Sequence, residues 1–348
     1  MSILYENSIK KHMKKINVGV IGLGYWGPNY IRNFTQHKKV NLVWACDLDQ
    51  NQFLKISNLY PWIKFTRNYK EVLKDTTLNF IAIATPPETH YKLCRSALLA
   101  GKHVLIAKPL ATNSKEVKDL IKIAKRKKLL LHCDLTYLYT PAVKLIRNLI
   151  KKGIIGNPQY FDSTRTNLGL IQKGVNVIWD LALHDLAILD YCFNFEPEKV
   201  FAVASKHHQA LETEELAHIT ISYPNNFIAH IHVSWLSPVK LRTIFIGGSS
   251  KMILFDDIQP DEKIKIYNKG IDFSPESISP FKPIYRSGDI VIPKISNEEA
   301  LSVEIEGLVE QISKNKITYE NAKMNVKITK VLEACSKSVK ENRWVTVK

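Results

Sequence analysis

The chain has 348 residues, 45% of them hydrophobic, which is long for a single core and comfortable for two domains. Its formal charge of +16 invites a nucleic-acid partner, but the lysines are spread along the chain, as in 115–128 and 263–265, with no aromatic-interleaved basic stripe, so nucleic acid is set aside and an anionic small molecule is favoured. No apolar run reaches the ~20 residues of a membrane span, and Cys46, Cys94, Cys133, Cys192 and Cys335 show no CxxC spacing, so no membrane partner, no disulfide framework, no metal site and a cytoplasmic location are expected.

Residues 1–14 are polar, basic and aperiodic, which predicts a disordered extension and leaves Met13 as an alternative start. From Ile16 the runs INVGVI, VNLVWACD, LNFIAIAT, HVLIA and LLLHC alternate with helical patterns at 30–37, 88–100 and 113–128. Repeated strand-helix units predict a doubly wound parallel sheet, a Rossmann domain, over 15–134. Its first turn is GLGYWG. There Gly22 permits the tight turn, Gly24 lets backbone approach a pyrophosphate, and Gly27 lets helix pack on strand. Asp47 stands 20 residues beyond Gly27 at the end of the second strand, placed to accept hydrogen bonds from a ribose. Leu48 follows it, so no adjacent arginine is available for a 2′-phosphate, and NAD is expected over NADP. Lys108 ends the fifth strand, at the sheet edge where ligands of such folds collect; a solvated strand-end lysine is the plain alternative.

Near residue 134 the pattern changes, and 135–348 reads as a second α/β domain with a large, mainly antiparallel sheet. A helix is predicted at 141–152, with Tyr139 before it as either a sugar contact or a core aromatic, and a strand at 160–166. On that strand Arg165, with Asn167 beside it, is either a bidentate grip for a phosphate or carboxylate or an ordinary surface arginine. In WDLALHD, Asp180 and His184 are four apart, on one face of a predicted helix. They either share a ligand or serve as a helix cap and a core histidine. Period-two runs follow through 267, turning at Tyr223-Pro224-Asn225-Asn226; 270–296 is expected on the surface, and helices at 298–313 and 321–340 precede a strand at 344–347. His218, His230 and His232 fall on adjacent strands, with no carboxylate or cysteine nearby to make a metal site. Ile219, Ile231, Val233 and Trp235 are expected on the open face of this sheet, where a second subunit would cover them.

ATPPETH (84–90), AGKHVLIAKPLA (100–111) and WDLALHD (179–185), in that order after the glycine turn, resemble the Gfo/Idh/MocA oxidoreductases, a likeness that runs from Ile16 to the C-terminus. RTNLG (165–169) and WLSPVKLR (235–242) are most similar to the branch acting on nucleotide-linked sugars in polysaccharide and deoxysugar pathways. The resemblance implies an NAD-dependent sugar oxidoreductase working at a ring carbon, C3 by expectation, and a homodimer or homotetramer. It implies cofactor contacts at Tyr25, Trp26, Thr85, Pro86, His90 and Lys108. Lys108 would be the proton-transfer residue, His184 its assistant and Asp180 the orienting carboxylate, with Trp179 among the substrate contacts. A dehydrogenase of free sugar or inositol stays open. So does an NAD-bound sensor without turnover, because Ala107 stands where many members carry a glutamate beside the lysine.

Overall fold

The computed structural model describes residues 15–169, 171, 174–208, 213–272 and 284–348; the predicted extension 1–14 lies outside them. Strands β1 (Ile16–Ile21), β2 (Val40–Cys46), β3 (Lys64–Thr66), β4 (Phe80–Ile83), β5 (His103–Ile106) and β6 (Leu131–Cys133) form one parallel sheet in the order β3-β2-β1-β4-β5-β6. The order reverses at β1, and the crevice beyond the carboxyl ends of β1 and β4 is where such sheets take ligands. Helices α1 (Gly27–Gln36), α4 (Pro87–Leu99) and α5 (Ser114–Lys127) fall where the apolar periodicity puts them, α5 capped by the Asn113 side chain on the Glu116 amide. The sequence pattern misses α2 (Gln50–Ser57), β3 and α3 (Tyr69–Lys74), since α2 buries only Ile56 and α3 only Val72, too few positions to make a stripe.

After α6 (Pro141–Lys151) comes the second sheet. Its strands are β7 (Pro158–Leu168), β8 (Lys199–Ser205), β9 (Leu216–Ser222), β10 (Ile228–Ser234), β11 (Leu236–Gly248), β12 (Met252–Asp256) and β13 (Ile264–Tyr267), followed by a two-stranded ribbon of β14 (Gly270–Asp272) and β15 (Ile284–Arg286), then β16 (Ile290–Val291) and β17 (Val345–Thr346). The nine-stranded order is β16-β13-β12-β11-β7-β10-β9-β8-β17, antiparallel throughout except for β7 beside β10. The β9–β10 hairpin turns at Pro224–Asn226, where Asn225 and Asn226 take positive φ, a conformation asparagine tolerates. The segment expected on the surface at 270–296 contributes β14, β15 and β16, and β15 and β16 are mostly exposed, with 273–283 outside the described residues.

Helices α7 (Leu183–Phe193) and α9 (Glu320–Glu341) cover one face of the large sheet. Ile219, Ile231, Val233 and Trp235 pack beneath them, none more than 2% exposed. These side chains therefore line the interior and are not the subunit face expected of them; the period-two pattern tells which residues share a face but not which face is covered. α8 (Ala300–Ser313) runs back to the first sheet, burying Leu301, Ile305, Leu308 and Val309 against Ile31 and Phe34. Each such side chain contributes about 1.5–3 kcal/mol. Among the described residues no helix is long and apolar enough to cross a membrane.

Candidate functional site

The turn after β1 is built around its glycines. Gly22 has φ +94, and a Cβ there would meet the Ala84 carbonyl oxygen at 2.4 Å; a Cβ on Gly27 would meet the Gly22 oxygen at 2.1 Å. Gly24 faces open space, and no side chain caps the N-terminus of α1. An uncapped helix N-terminus, with open space at Gly24, fits a pyrophosphate. Asp47 borders the same turn, accepting from the Leu23 amide at 2.6 Å and the Asp49 amide at 2.8 Å. Leu48 is 77% exposed and bears no charge, but its carbonyl accepts from Arg67 Nε at 3.0 Å. An arginine distant in sequence thus borders the Asp47 loop, which no reading of adjacent residues reveals.

Tyr25 is 81% exposed at the turn, whereas Trp26 leans inward and donates through Nε1 to Asp134 Oδ2 at 2.6 Å. The same oxygen accepts from the Tyr30 hydroxyl at 2.9 Å, so Asp134, at the end of β6, anchors the glycine turn from below. Thr85 and Pro86 lead into α4, with the Thr85 hydroxyl 2.7 Å from that of Thr89. His90 is fully buried, Nε2 lying 2.8 Å from the Thr85 carbonyl and Nδ1 2.6 Å from the Pro109 carbonyl. It ties the loop after β4 to the loop after β5, and burial holds its pKa below the usual value. Its role here is to position Thr85 and Lys108; it makes no surface a cofactor would touch.

Lys108 donates from Nζ to the Asp180 carbonyl at 3.0 Å and to Asp180 Oδ1. Asp180 Oδ2 accepts from Trp235 Nε1 at 3.0 Å. An ammonium has three donors, so one is left for a further oxygen. Asp180 lies in a π-helical turn, Ile178–Ala182, that runs into α7, where a plain α-helix is predicted; it neither caps a helix nor faces water freely. His184 is half-buried, with the Tyr137 ring edge-on at 5.1 Å. Burial first, then the charges of Lys108, Arg165 and Arg242, push its pKa well down, so it stands as a neutral imidazole. Trp179 donates to Ser336 at 3.1 Å and, with Pro87, Pro109, Asn176 and Glu214, lines a cleft of about 260 Å³ beside the lysine.

Lys108, Asp180, His184 and Trp179 are thus brought together. Arg165 is not free to join them. It is 3% exposed, with Nε and Nη2 each 2.9 Å from Asp185 and Nη1 donating to Tyr137 at 2.9 Å. The phosphate grip expected of it is excluded by a buried, fully paired geometry. Asn167 lies two residues on, half-buried on the same face of β7. Tyr139 points elsewhere, its hydroxyl 3.0 Å from His132 Nε2, and belongs to the packing under α8. Trp235, Tyr137 and Arg242 border the site without having been singled out for it. Among the described residues no three His, Cys, Asp or Glu side chains converge as a metal site would require, and all five cysteines are free and buried.

Residues 16–135 match a family model described as an oxidoreductase family with an NAD-binding Rossmann fold, and 143–254 match a GFO/IDH/MocA C-terminal domain. Among curated relatives, the myo-inositol 2-dehydrogenase of Thermotoga maritima is 24% identical over 195 residues, 55% of this chain and 58% of that one. The uncharacterized oxidoreductase YrbE of Bacillus subtilis is 21% identical over 227 residues, 63% and 67% of the two chains. The chain spans about two thirds or less of the length of these relatives. The crystal structure of GenD2 from gentamicin A biosynthesis, solved in complex with NAD, has a TM-score of 0.82 at 20% identity, with 100% of both chains covered. At that identity the likeness shows the fold.

Proposed function

This chain belongs to the GFO/IDH/MocA family of NAD-binding oxidoreductases, and from that premise we propose that it oxidises or reduces a ring carbon of a sugar, C3 of a nucleotide-linked sugar being the leading assignment. One observation carries the proposal: Lys108, at the edge of the parallel sheet, is held by Asp180 next to a neutral His184, with one ammonium donor to spare. Residues 15–134 form the cofactor unit in this reading, and 135–348 the substrate and oligomerisation unit, with α8 packed back on the first.

Bound NAD supplies the acceptor or donor of the hydride. The chain's own work is to place the hydroxyl and manage its proton. In reduction the Lys108 ammonium gives a proton to the alkoxide oxygen as the carbon gains hydride, which leaves a neutral amine; oxidation is the reverse, the O–H bond breaking and its proton passing to that neutral amine as the carbon loses hydride. Asp180 fixes the amine, and Trp235 fixes Asp180. A histidine whose proton affinity is depressed holds a proton poorly, so His184 orients the hydroxyl by hydrogen bonding and is not the main base.

The overall positive charge favours a phosphate-bearing substrate. A free sugar or inositol is the second reading, favoured by relatives such as the Thermotoga enzyme, whose name is that of an inositol dehydrogenase. A thermal-shift screen of UDP- and dTDP-sugars, free sugars and inositols with NAD present separates the two, since a ligand at a hundred times its Kd stabilises by about 2.7 kcal/mol. NADH formation at 340 nm then tests turnover. Stabilisation by a sugar with no turnover in either direction overturns the enzyme reading and leaves a sensor.

A further inference from the structure

On the covered face of the large sheet two arginines stand directly opposite each other, Arg165 of β7 and Arg242 of β11. Like charges in opposed positions repel, so a sheet keeps such a pair where anions offset it. Arg165 is offset in full by the bidentate contact with Asp185. Arg242 is not. Its Nη1 lies 3.3 Å from Asp257 Oδ2, while Lys263 Nζ lies 3.7 Å from Oδ1 of the same carboxylate and 2.6 Å from the Asp257 carbonyl. The Tyr137 hydroxyl points to Oδ2 as well, at 3.5 Å. Among the described residues one carboxylate therefore serves two cations and a hydroxyl, one anion fewer than the cations it faces.

A second observation concerns the donors. Arg242 Nε–H is buried with no acceptor among the described residues, whereas the side chain as a whole is 31% exposed. Such a group is short of acceptors and within reach of solvent. It is also close to the chemistry: Arg242 is one of the three cations whose field bears on His184, and Tyr137 touches His184, Arg165 and Asp257 in turn.

We propose that Arg242, backed by Lys263, is an anion contact on the His184 side of the site and grips an oxyanion carried by the sugar, either a phosphate or a carboxylate. The inference rests on the sugar-oxidoreductase reading and deepens it. The grip expected of Arg165 passes to its cross-strand neighbour, because α7 supplies Asp185 to one arginine only. A guanidinium fork suits either oxyanion through two parallel hydrogen bonds.

The test is calorimetric titration of NAD-saturated protein with UDP, with glucuronate and with neutral glucose. Saturating NAD keeps nucleotide out of the glycine turn. At least one anion should bind, and Arg242→Met should weaken it by about tenfold or more, the loss of a charge-assisted hydrogen bond. Asp257→Asn removes the carboxylate that competes for Arg242 and should tighten the same anion, an opposite sign that general damage to the fold does not produce. UDP binding without glucuronate binding assigns the phosphate; the converse assigns the carboxylate. NAD affinity and melting temperature check that Arg242→Met is folded, and if it is not, Lys263→Met carries the test with the same expected weakening. Unchanged anion affinity in the folded variant, or no binding of either anion by the unmodified protein, overturns the proposal. No turnover is read, so failure of the sugar-oxidoreductase reading is seen separately, as anion binding that depends on Arg242 in a protein that reduces NAD with no sugar.

Discussion

Lys108 has one position on Nζ unclaimed by Asp180, and at that position the proposed reaction exchanges its proton. Lys108→Ala should leave NAD affinity unchanged, because the glycine turn and Asp47 are untouched, and should lower turnover of an identified substrate by about 10²-fold or more. Near-full activity in the variant would remove Lys108 from the mechanism. A second prediction follows from Asp47, whose carboxylate borders the turn and repels a 2′-phosphate, and from Arg67, which sits behind Leu48. Calorimetry should find NAD bound more tightly than NADP. Asp47→Ala should narrow the gap, with Arg67 at the border of the loop to pair with the added phosphate, and Asp47→Ala/Arg67→Ala should lose most of the NADP gain. Equal affinities for the two cofactors in the unmodified protein would sink the Asp47 assignment. The glycines, Asp47, Lys108, Asp180 and His184 were legible in the sequence because each lies in a short motif. What the motifs could not supply were partners far along the chain: Asp134 under Trp26, Trp235 on Asp180, Arg67 beside Leu48 and Asp185 on Arg165.

The same division holds among the elements. α1, α4, α5, α6 and the long strands were legible from periodicity, whereas β3, α2 and α3 were not, because they bury too little to leave a pattern. The π-helical turn at Asp180 is likewise invisible to a 3.6-residue period. The return of α8 to the first sheet has a consequence for stability. Its Glu304 is fully buried beside Asp134 and 3.0 Å from His132 Nε2. Burial, then the Asp134 charge, pushes the Glu304 pKa well up, and burial drives His132 down to about 3. A carboxyl with a raised folded pKa keeps a proton that the unfolded chain releases above about pH 4.3, so its contribution is complete below that pH and is lost as pH rises through the folded value. His132 works the other way: its contribution is complete above about pH 6.5 and is lost as pH falls toward about 3. Glu304→Gln mimics the protonated acid. Scanning calorimetry should therefore find the variant level with the unmodified protein at pH 4.5 and more stable at pH 8. A variant less stable than the unmodified protein at pH 8 would mean that Glu304 is ionised in the fold.

At the scale of the whole molecule, the large sheet has one face under α7 and α9 and the other open. Since Ile219, Ile231, Val233 and Trp235 are interior, the case for a subunit on the open face must rest on the residues that alternate with them. These include Val203 at 53% exposure, Ile228 at 48% and Phe245 at 38%, together with His218, His230 and His232. Apolar side chains in such a stretch of sheet favour burial against a second copy, and two-fold pairing of one face is the commonest way to achieve it. Light scattering at micromolar protein and neutral pH should give a dimer or tetramer of the 39.8 kDa chain. A clean monomer would refute the assignment. The face also carries two stacked histidines. The His218 and His232 rings stack with centroids 4.2 Å apart and planes within 9°, and burial, then the nearby His218, lowers the His232 pKa. His230 leans on Thr220 at 3.0 Å and pairs in register with Asp162, which offers one carboxylate to the group. A proton taken up by His232 sets a charge against the His218 ring, a cost that grows if a second subunit excludes water from it. Lowering the pH from 7.5 to 5 should therefore shift the oligomer toward monomer, and His218→Gln/His232→Gln should abolish that shift while leaving the assembly at pH 7.5 intact. An acid-induced dissociation that survives the double substitution would place the controlling groups elsewhere.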